Sequence, residues 1–266
     1  MIDGALPYLR CPVCEQPLSR AERALRCGRG HSFDIARQGY ADLTAGRLPH
    51  VGDTAAMVAD RVAFLAAGHY DFIADALAAG KPDGLVLDAG TGTGSYLARV
   101  LDAAPGATGL GLDVSKPALR RAARAHLRAG AVLADLWRPL PVADAAAELV
   151  LNVFAPRNGA EFRRVLRPDG RLLVVTPTAE HLAELVAAYG LIRVDPDKAA
   201  RVSGALDEHF DLETAVELRR ELRLTATEAG TLIGMTPSAR HVEPAELPTE
   251  AVEVTAAVRL ATYRPR

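Results

Sequence analysis

Two groups of residues could do chemistry. Cys11, Cys14, Cys27 and His31 stand in the spacing C-x2-C-x12-C-x3-H, and residues 85–94 read Leu-Val-Leu-Asp-Ala-Gly-Thr-Gly-Thr-Gly. The first group offers three thiolates and one imidazole, the donor set of a tetrahedral zinc ion. Pro12 shapes the turn between the first two cysteines, and Gly28 and Gly30 lie between Cys27 and His31. Four protein ligands leave no open position, so a structural ion is expected, one per chain. The alternative is three buried thiols beside a surface histidine. Against it, every cysteine of the chain falls between positions 11 and 27, and their odd number argues against a disulfide framework. So short a segment has little core and is expected to need metal to fold.

The second group offers a cradle. The apolar run Leu85–Leu87 ends in Asp88, and Gly90, Gly92 and Gly94 alternate with Thr91 and Thr93 before a helical pattern begins at Tyr96. Strand, glycine loop and helix in this order open a nucleotide-binding α/β unit. The glycines let the backbone turn tightly and approach a ligand. A second strand ends in Asp113, where a carboxylate suits ribose hydroxyls. Asp88 at the tip of the first strand separates the loop from the NAD fingerprint. A tight β–α turn with no ligand is the alternative, and Asp113 weighs against it.

The elements that position these groups follow from periodicity. Residues 54–67 keep near-3.6 spacing at Met57, Val58, Arg61, Val62 and Leu65, Gly68-His69-Tyr70 interrupts, and 72–79 resumes helix. Strands are expected at 85–88, 108–113, 132–134, 148–154 and within 170–177, with helices at 95–103, from Ser115 to about Ala129, and at 161–166. Ser115 reads as an N-cap, with Pro117 in the first turn. Helices at 180–189 and 225–233 and strands near 216–224 and 251–263 complete the chain. Such alternation implies an α/β fold, a parallel sheet with helices on both faces. The organisation reads as a zinc-binding module over 1–45, linker and helices over 46–84, and a Rossmann-like domain over 85–266.

Composition bounds the rest. The 266 residues allow one large domain and a small appendage, and a formal net charge of −2 gives no overall attraction to nucleic acid. Arg10, Arg20, Arg23, Arg26, Arg29 and Arg37 nevertheless surround the zinc ligands, against Glu15, Glu22 and Asp34. Arginine forks bind phosphates and stack on bases, so RNA contact competes with the reading of a solvated surface. The N-terminal residues lack the pattern of a signal peptide and no run approaches a membrane span, so a cytoplasmic protein without membrane partners is expected.

Several segments together resemble one family. Asp-Ala-Gly-Thr-Gly-Thr-Gly94 is similar to motif I of class I S-adenosylmethionine methyltransferases, where the acid faces the methionine ammonium. Arg10-Cys-Pro-Val-Cys14, Cys27-x3-His31-Ser-Phe-Asp-Ile-Ala-Arg-Gln-Gly-Tyr40, Ala67-Gly-His-Tyr70, Gly111-Leu-Asp-Val-Ser-Lys116 and Met235-Thr-Pro237 resemble the RlmA family of 23S ribosomal RNA guanine-N1 methyltransferases. The resemblance spans nearly the whole chain. It implies a homodimer that methylates N1 of a guanine in a hairpin of domain II of 23S rRNA. Asn152-Val-Phe-Ala-Pro156 and an arginine-rich composition lean toward the branch that includes macrolide producers protecting their own ribosomes, so an effect on macrolide sensitivity is implied.

The resemblance also carries residues. It places Tyr70, Asp88, Gly90, Gly92, Thr93, Gly94, Asp113, Val114, Asp135, Leu136, Asn152 and His181 around the cofactor, with Asp113 on the ribose and Ala134-Asp135-Leu136 on the adenine. Thr93 stands where some relatives carry an acid. N1 of guanine bears a proton that must leave around methyl transfer, so a base or a water path is needed. His181 and Asp135 are candidates, with Asn152 as a positioning amide. N1 lies on the pairing edge, so the base must swing out of the hairpin. Phe154 and Trp137 could stack on it or pack in the core. Two other readings remain: a small-molecule methyltransferase carrying a zinc knob, and a non-catalytic RNA-binding module. The intact Asp88 loop and Asp113 oppose the second, and the basic zinc module opposes the first.

Overall fold

In the computed structural model, residues 2–46, 48–193, 195, 204–240 and 248–266 are described. The chain opens with a short helix, α1 (Ile2–Ala5), and a three-stranded antiparallel ribbon of β1 (Leu18–Ala21), β2 (Ala24–Cys27) and β3 (Ser32–Asp34). Strand β4 (Ala41–Asp42) follows, then helices α2 (Ala55–Ala66) and α3 (Asp71–Ala78). The main α/β unit runs β5 (Leu85–Ala89), α4 (Ser95–Ala103), β6 (Thr108–Asp113), α5 (Lys116–Ala122), β7 (Ala129–Leu133), β8 (Ala147–Val153), α6 (Gly159–Val165) and β9 (Leu166–Pro177). It closes with α7 (Ala183–Tyr189), β10 (Phe210–Leu224), α8 (Ala226–Gly234) and β11 (Val252–Pro265).

The eight-stranded sheet has the order β10-β11-β9-β8-β5-β6-β7-β4. The pairs from β9 to β4 are parallel, and β11 runs antiparallel between β9 and β10. All five residues of β5 are buried, as are all five of β7, the mark of strands covered on both faces. Strand order reverses between β5 and β8, and ligands of open α/β sheets bind at the carboxyl ends beside such a point.

Local chemistry sets the helix starts. Thr54 Oγ accepts from Met57 N–H, and Ser115 Oγ accepts from Ala118 N–H with Pro117 in the first turn. The helix after β6 ends at Ala122, not near Ala129, and β7 begins at Ala129, not at Val132. Alanines and arginines over 122–129 suit a helix by propensity, but tertiary contacts override it. Arg128 turns inward, its guanidinium donating to the carbonyls of Ala104 and Ala107 (2.7 and 2.6 Å) and of Leu101 at the end of α4. Residues 129–133 then pair with β6.

The ribbon is sewn to the main unit at both ends. Leu9 bridges Val142 and Arg10 N–H donates to the Pro141 carbonyl, while β4 pairs with β7. Leu9, Leu18, Leu25 and Ile35 belong to the same apolar core as Leu87, Leu110 and Val132.

Candidate functional site

The ribbon converges its four candidate ligands. Cys11 Sγ lies 3.5 Å from His31 Nδ1, Cys27 Sγ lies 3.3 Å from the same nitrogen, and Cys14 Sγ lies 3.6 Å from Cys27 Sγ. All four donor atoms fall within 4.8 Å of one another. A tetrahedron with metal–sulfur bonds of about 2.3 Å has sulfur–sulfur edges of about 3.8 Å, so the donors fit a structural zinc. Two turns make the cage. Glu15 N–H donates to the Cys11 carbonyl with Glu15 at φ 59°, and Gly30 N–H donates to the Cys27 carbonyl with Gly30 at φ 84°. Burial raises the Cys11 thiol pKa. For Cys27 burial also opposes ionisation, but backbone hydrogen bonds at Arg29 and His31 prevail and bring the thiol down to about 6.

At the carboxyl end of β5 the glycine loop is shaped by close approach. Gly90, Gly92 and Gly94 have φ of 90°, 54° and 79°, and a Cβ on Gly90 would lie 2.3 Å from the Ala155 Cβ. No side chain fits on Gly90, so the loop after β8 packs its Ala155 methyl against the bare Gly90 backbone. Asp113 pins the turn: its carboxylate accepts from Gly92 N–H and Ser115 N–H, each at 2.8 Å. Burial raises the pKa of Asp113 despite those bonds. Asp88 is 1% exposed and its Oδ2 has no hydrogen-bond partner among the described residues. Burial pushes its pKa up to about 7; the neighbouring Thr91 hydroxyl pulls against the rise and the Asp113 charge adds to it. A buried carboxylate with an orphaned oxygen is costly until a cation or donor arrives.

A cavity of about 950 Å³ opens over these loops. Of the residues read from sequence, Tyr70, Gly90, Gly92, Asp113, Val114, Asp135, Leu136 and His181 line it. Asp88, Thr93, Gly94 and Asn152 stand behind the wall. Thr93 is buried, its Oγ1 2.9 Å from Ser95 Oγ, and Gly94 precedes α4 as its N-cap. Asn152 is fully buried, and its amide donates to the carbonyls of Ala89 (3.1 Å) and Pro156 (2.8 Å), so it ties the two loops together.

His181 Nδ1 accepts from Ala257 N–H at 3.2 Å, so the neutral ring carries its proton on Nε2 and gives it to Tyr70 Oη at 3.3 Å. In that state neither nitrogen is open to accept the N1 proton. Asp135, with its side chain 2% exposed, accepts from Trp137 N–H and meets His50 Nδ1, both at 3.0 Å. Phe154 and Trp137 are not core residues: they are 37% and 56% exposed and both line the cavity. Phe154 holds φ at 53°, which is uncommon for an aromatic residue, and its ring lies 5.9 Å from His181 and 6.5 Å from Tyr70.

His50, Asp53, Arg61 and Arg157 also line the cavity, and no motif of the sequence marks them. His50 sat in a segment read as linker. Arg61 Nη2 donates to Asp53 Oδ2 at 2.6 Å and to the Met235 carbonyl at 2.9 Å, and Ser115 Oγ donates to the Asp53 carbonyl at 2.7 Å. The segment after β4 is thereby strapped beside the cavity. No local motif announces these contacts, because each joins residues far apart in sequence or outside any repeating pattern.

Residues 9–45 match the RlmA N-terminal zinc ribbon, and residues 86–170 match a methyltransferase domain. The chain is 60% identical to a Micromonospora griseorubida protein named 23S rRNA (guanine-N(1)-)-methyltransferase, with 100% of both chains covered. It is 48% identical to the 23S rRNA (guanine(748)-N(1))-methyltransferase of Streptomyces fradiae, over 100% of this chain and 99% of the relative. Among solved structures, the complex of the Haloferax volcanii Trm112 methyltransferase activator with a methyltransferase matches at a TM-score of 0.52 and 19% identity, covering 81% of this chain and 99% of that one, a likeness of fold. Among the described residues no helix is long and apolar enough to cross a membrane. With its zinc-ribbon donors, its glycine-loop cavity and full-length relatives of one name, this chain belongs to the RlmA family of 23S rRNA (guanine-N1)-methyltransferases.

Proposed function

We propose that this chain methylates N1 of a guanine in a hairpin of domain II of 23S rRNA, using S-adenosylmethionine. One observation carries the reading. The glycine loop with Asp113 and an exposed aromatic wall of Phe154 and Trp137 face a single cavity of about 950 Å³. That volume and those walls suit a cofactor and an unstacked base together.

The bound cofactor supplies an electrophilic methyl group on a sulfonium. The chain's residues do the rest. From just behind the glycine loop the buried Asp88 carboxylate, its Oδ2 unpartnered among the described residues, would draw the methionine ammonium, and Asp113 suits the ribose beyond the two N–H groups it already holds. Asp135 and Leu136 bound the adenine end, with His50 and Trp137 over it. Phe154, braced against His181 and Tyr70, offers a face to the flipped guanine. His181 and Asn152 position this wall and the loop beneath it rather than accept a proton. The N1 proton leaves to water in the cavity.

In this reading residues 1–45 form the RNA-gripping module, 46–84 the connection and 85–266 the methyltransferase body. Arg23, Arg26 and Arg29 are exposed on the ribbon, with Arg26 paired across strands to Ser19 and Ser32. The Streptomyces fradiae relative's name specifies guanine 748, so the equivalent guanine is the expected target and reduced macrolide sensitivity the expected consequence. A homodimer in the cytoplasm completes the proposal. Primer extension on ribosomes from a strain lacking the gene tests it: the stop at the hairpin guanine should vanish and return with the restored gene. An unchanged stop refutes the reading.

A further inference from the structure

We propose that Arg157 reads O6 of the target guanine and stabilises the N1-deprotonated base during methyl transfer. The proposal rests on guanine N1 being the acceptor.

The geometry starts from the loop after β8. Ala155 lies against Gly90 so closely that a Cβ on that glycine would meet it at 2.3 Å. Phe154 holds its φ of 53° with its N–H bonded to the Val175 carbonyl at 3.1 Å. The loop is therefore fixed over the glycine turn, and Arg157 follows directly, opening onto the cavity that Phe154 and Gly90 line.

Arg157 differs from the ion-paired arginines of the chain, and from Arg128, whose guanidinium is filled by three carbonyls. Arg61 is neutralised by Asp53, and Arg164 by Asp144 and Glu161. Arg157 is partly buried, and among the described residues its one hydrogen bond is a long one, Nη1 to the Ala155 carbonyl at 3.3 Å, with no ion pair. Burial lowers its pKa from the usual arginine value, while Tyr263 behind it raises it. A sheltered guanidinium without a carboxylate retains unused donors at a ligand cavity, and desolvation strengthens whatever acceptor they meet.

Guanine supplies that acceptor. O6 and N7 form the pair of acceptors that a guanidinium fork matches, whereas adenine presents an amino donor in place of O6. When N1 loses its proton to water, the negative charge spreads onto O6. The N1 electron pair then forms the bond to the methyl carbon, and the carbon–sulfur pair stays on sulfur, turning the sulfonium into a neutral thioether. The base returns to neutrality as N1-methylguanine. A donor aimed at O6 is thus worth more in the transition state than in the bound neutral base, as in an oxyanion hole.

The test uses the full-length enzyme, R157Q and R157K, and two hairpins, one with guanine at the target and one with 2-aminopurine, which lacks O6. Cofactor affinity should stay within about twofold in both variants, since Arg157 shares no hydrogen bond or ion pair with Asp88, Asp113 or Asp135 among the described residues. Wild type should bind the guanine hairpin about tenfold or more tightly than the 2-aminopurine hairpin, roughly the effect of a charge-assisted hydrogen bond. R157Q should lose that preference. Its methylation rate near neutral pH should fall about 100-fold, with the deficit narrowing as pH rises and N1 ionises unaided. His50 with Asp135, His181 with Tyr70, Arg61 with Asp53, Asp113, Arg193, Asp195 and Tyr263 also face or back this cavity. They are common to all three proteins, so the ratio of profiles isolates residue 157. R157K, which keeps charge but not the fork, should fall between; if R157Q does not fold, R157K decides on the same measurements. A parallel pH profile with unchanged guanine preference overturns the assignment. A wild type that leaves the hairpin guanine unmethylated overturns the function on which it rests.

Discussion

Replacing Asp88 by asparagine should stabilise the cofactor-free protein while weakening cofactor binding, and the size of the first effect should grow with pH. The carboxylate is buried at the tip of β5, and burial raises its pKa from 3.8 to about 7. The sign follows from that direction. A carboxylate whose folded pKa lies above its unfolded value favours folding only while protonated. Its contribution is fully present below pH 3.8 and is lost as pH rises to about 7. At 1.36 kcal/mol per unit the whole loss is on the order of 4 kcal/mol, of which about 3 kcal/mol falls between pH 5 and pH 8. The asparagine side chain of D88N does not titrate, so the wild type should lose that amount relative to the variant over the same interval. The amide has its own desolvation cost, but that cost is independent of pH, which makes the slope the diagnostic quantity. Urea unfolding of both apo proteins at several pH values measures it, and calorimetric titration with S-adenosylmethionine gives the second arm. Loss of a charge-assisted contact to the ammonium should weaken affinity by roughly 1.5–3 kcal/mol. A stability difference that is flat from pH 5 to 8, with equal cofactor affinity, refutes the reasoning.

Asp113 should behave differently, because it satisfies two backbone donors as well as facing the cavity. Asp113→Ala orphans Gly92 N–H and Ser115 N–H and should cost about 1–3 kcal/mol of stability for each. Asp113→Asn keeps an acceptor for only one of the two, because they bond different carboxylate oxygens, so it should recover about half of that loss yet still bind cofactor at least about tenfold more weakly, a split that thermal melts and titration calorimetry resolve. Cys14→Ser should drop bound zinc well below the one ion per chain expected of wild type, read by metal analysis. Hydrogen exchange should rise in the ribbon while β5, β6 and β8 stay protected. The double variant Arg23→Gln/Arg29→Gln should flatten the dependence of log RNA affinity on log salt by roughly 1.4–1.8 units; an unchanged slope would move the RNA surface elsewhere.

Much of the site was legible because its signals are local. The zinc donors lie within two turns, and the glycine loop, Asp88 and Asp113 sit at strand tips that apolar runs announce. Helix 95–103 and strand 108–113 emerged with the expected bounds. The failures have physical causes. Residues 122–129 are small and helix-favouring, yet sheet pairing and the inward turn of Arg128 outweigh propensity. Strand β10 extends to Phe210, well before residue 216, because its exposed Asp211–Glu217 stretch carries no buried alternation to read. Phe154 and Trp137 could not be assigned between core and cavity, since exposure belongs to the folded chain. His50 on Asp135 and Arg61 on Met235 join elements that meet only once the sheet is built.

Strand β4 has a consequence for how the chain assembles. Ala41 and Asp42 pair with Val132 and Leu133, far later in the chain. On the ribosome the ribbon emerges first and can bind its ion from local ligands alone. Its place on the sheet edge does not exist until β7 has been made and has paired with β6. The intervening segment carries His50 and Asp53, whose partners Asp135 and Ser115 also come from that later stretch. Long-range closures of this kind are slow. A metallated ribbon would therefore precede the cavity in time, and docking of its edge strand would be among the last steps to complete the cofactor site.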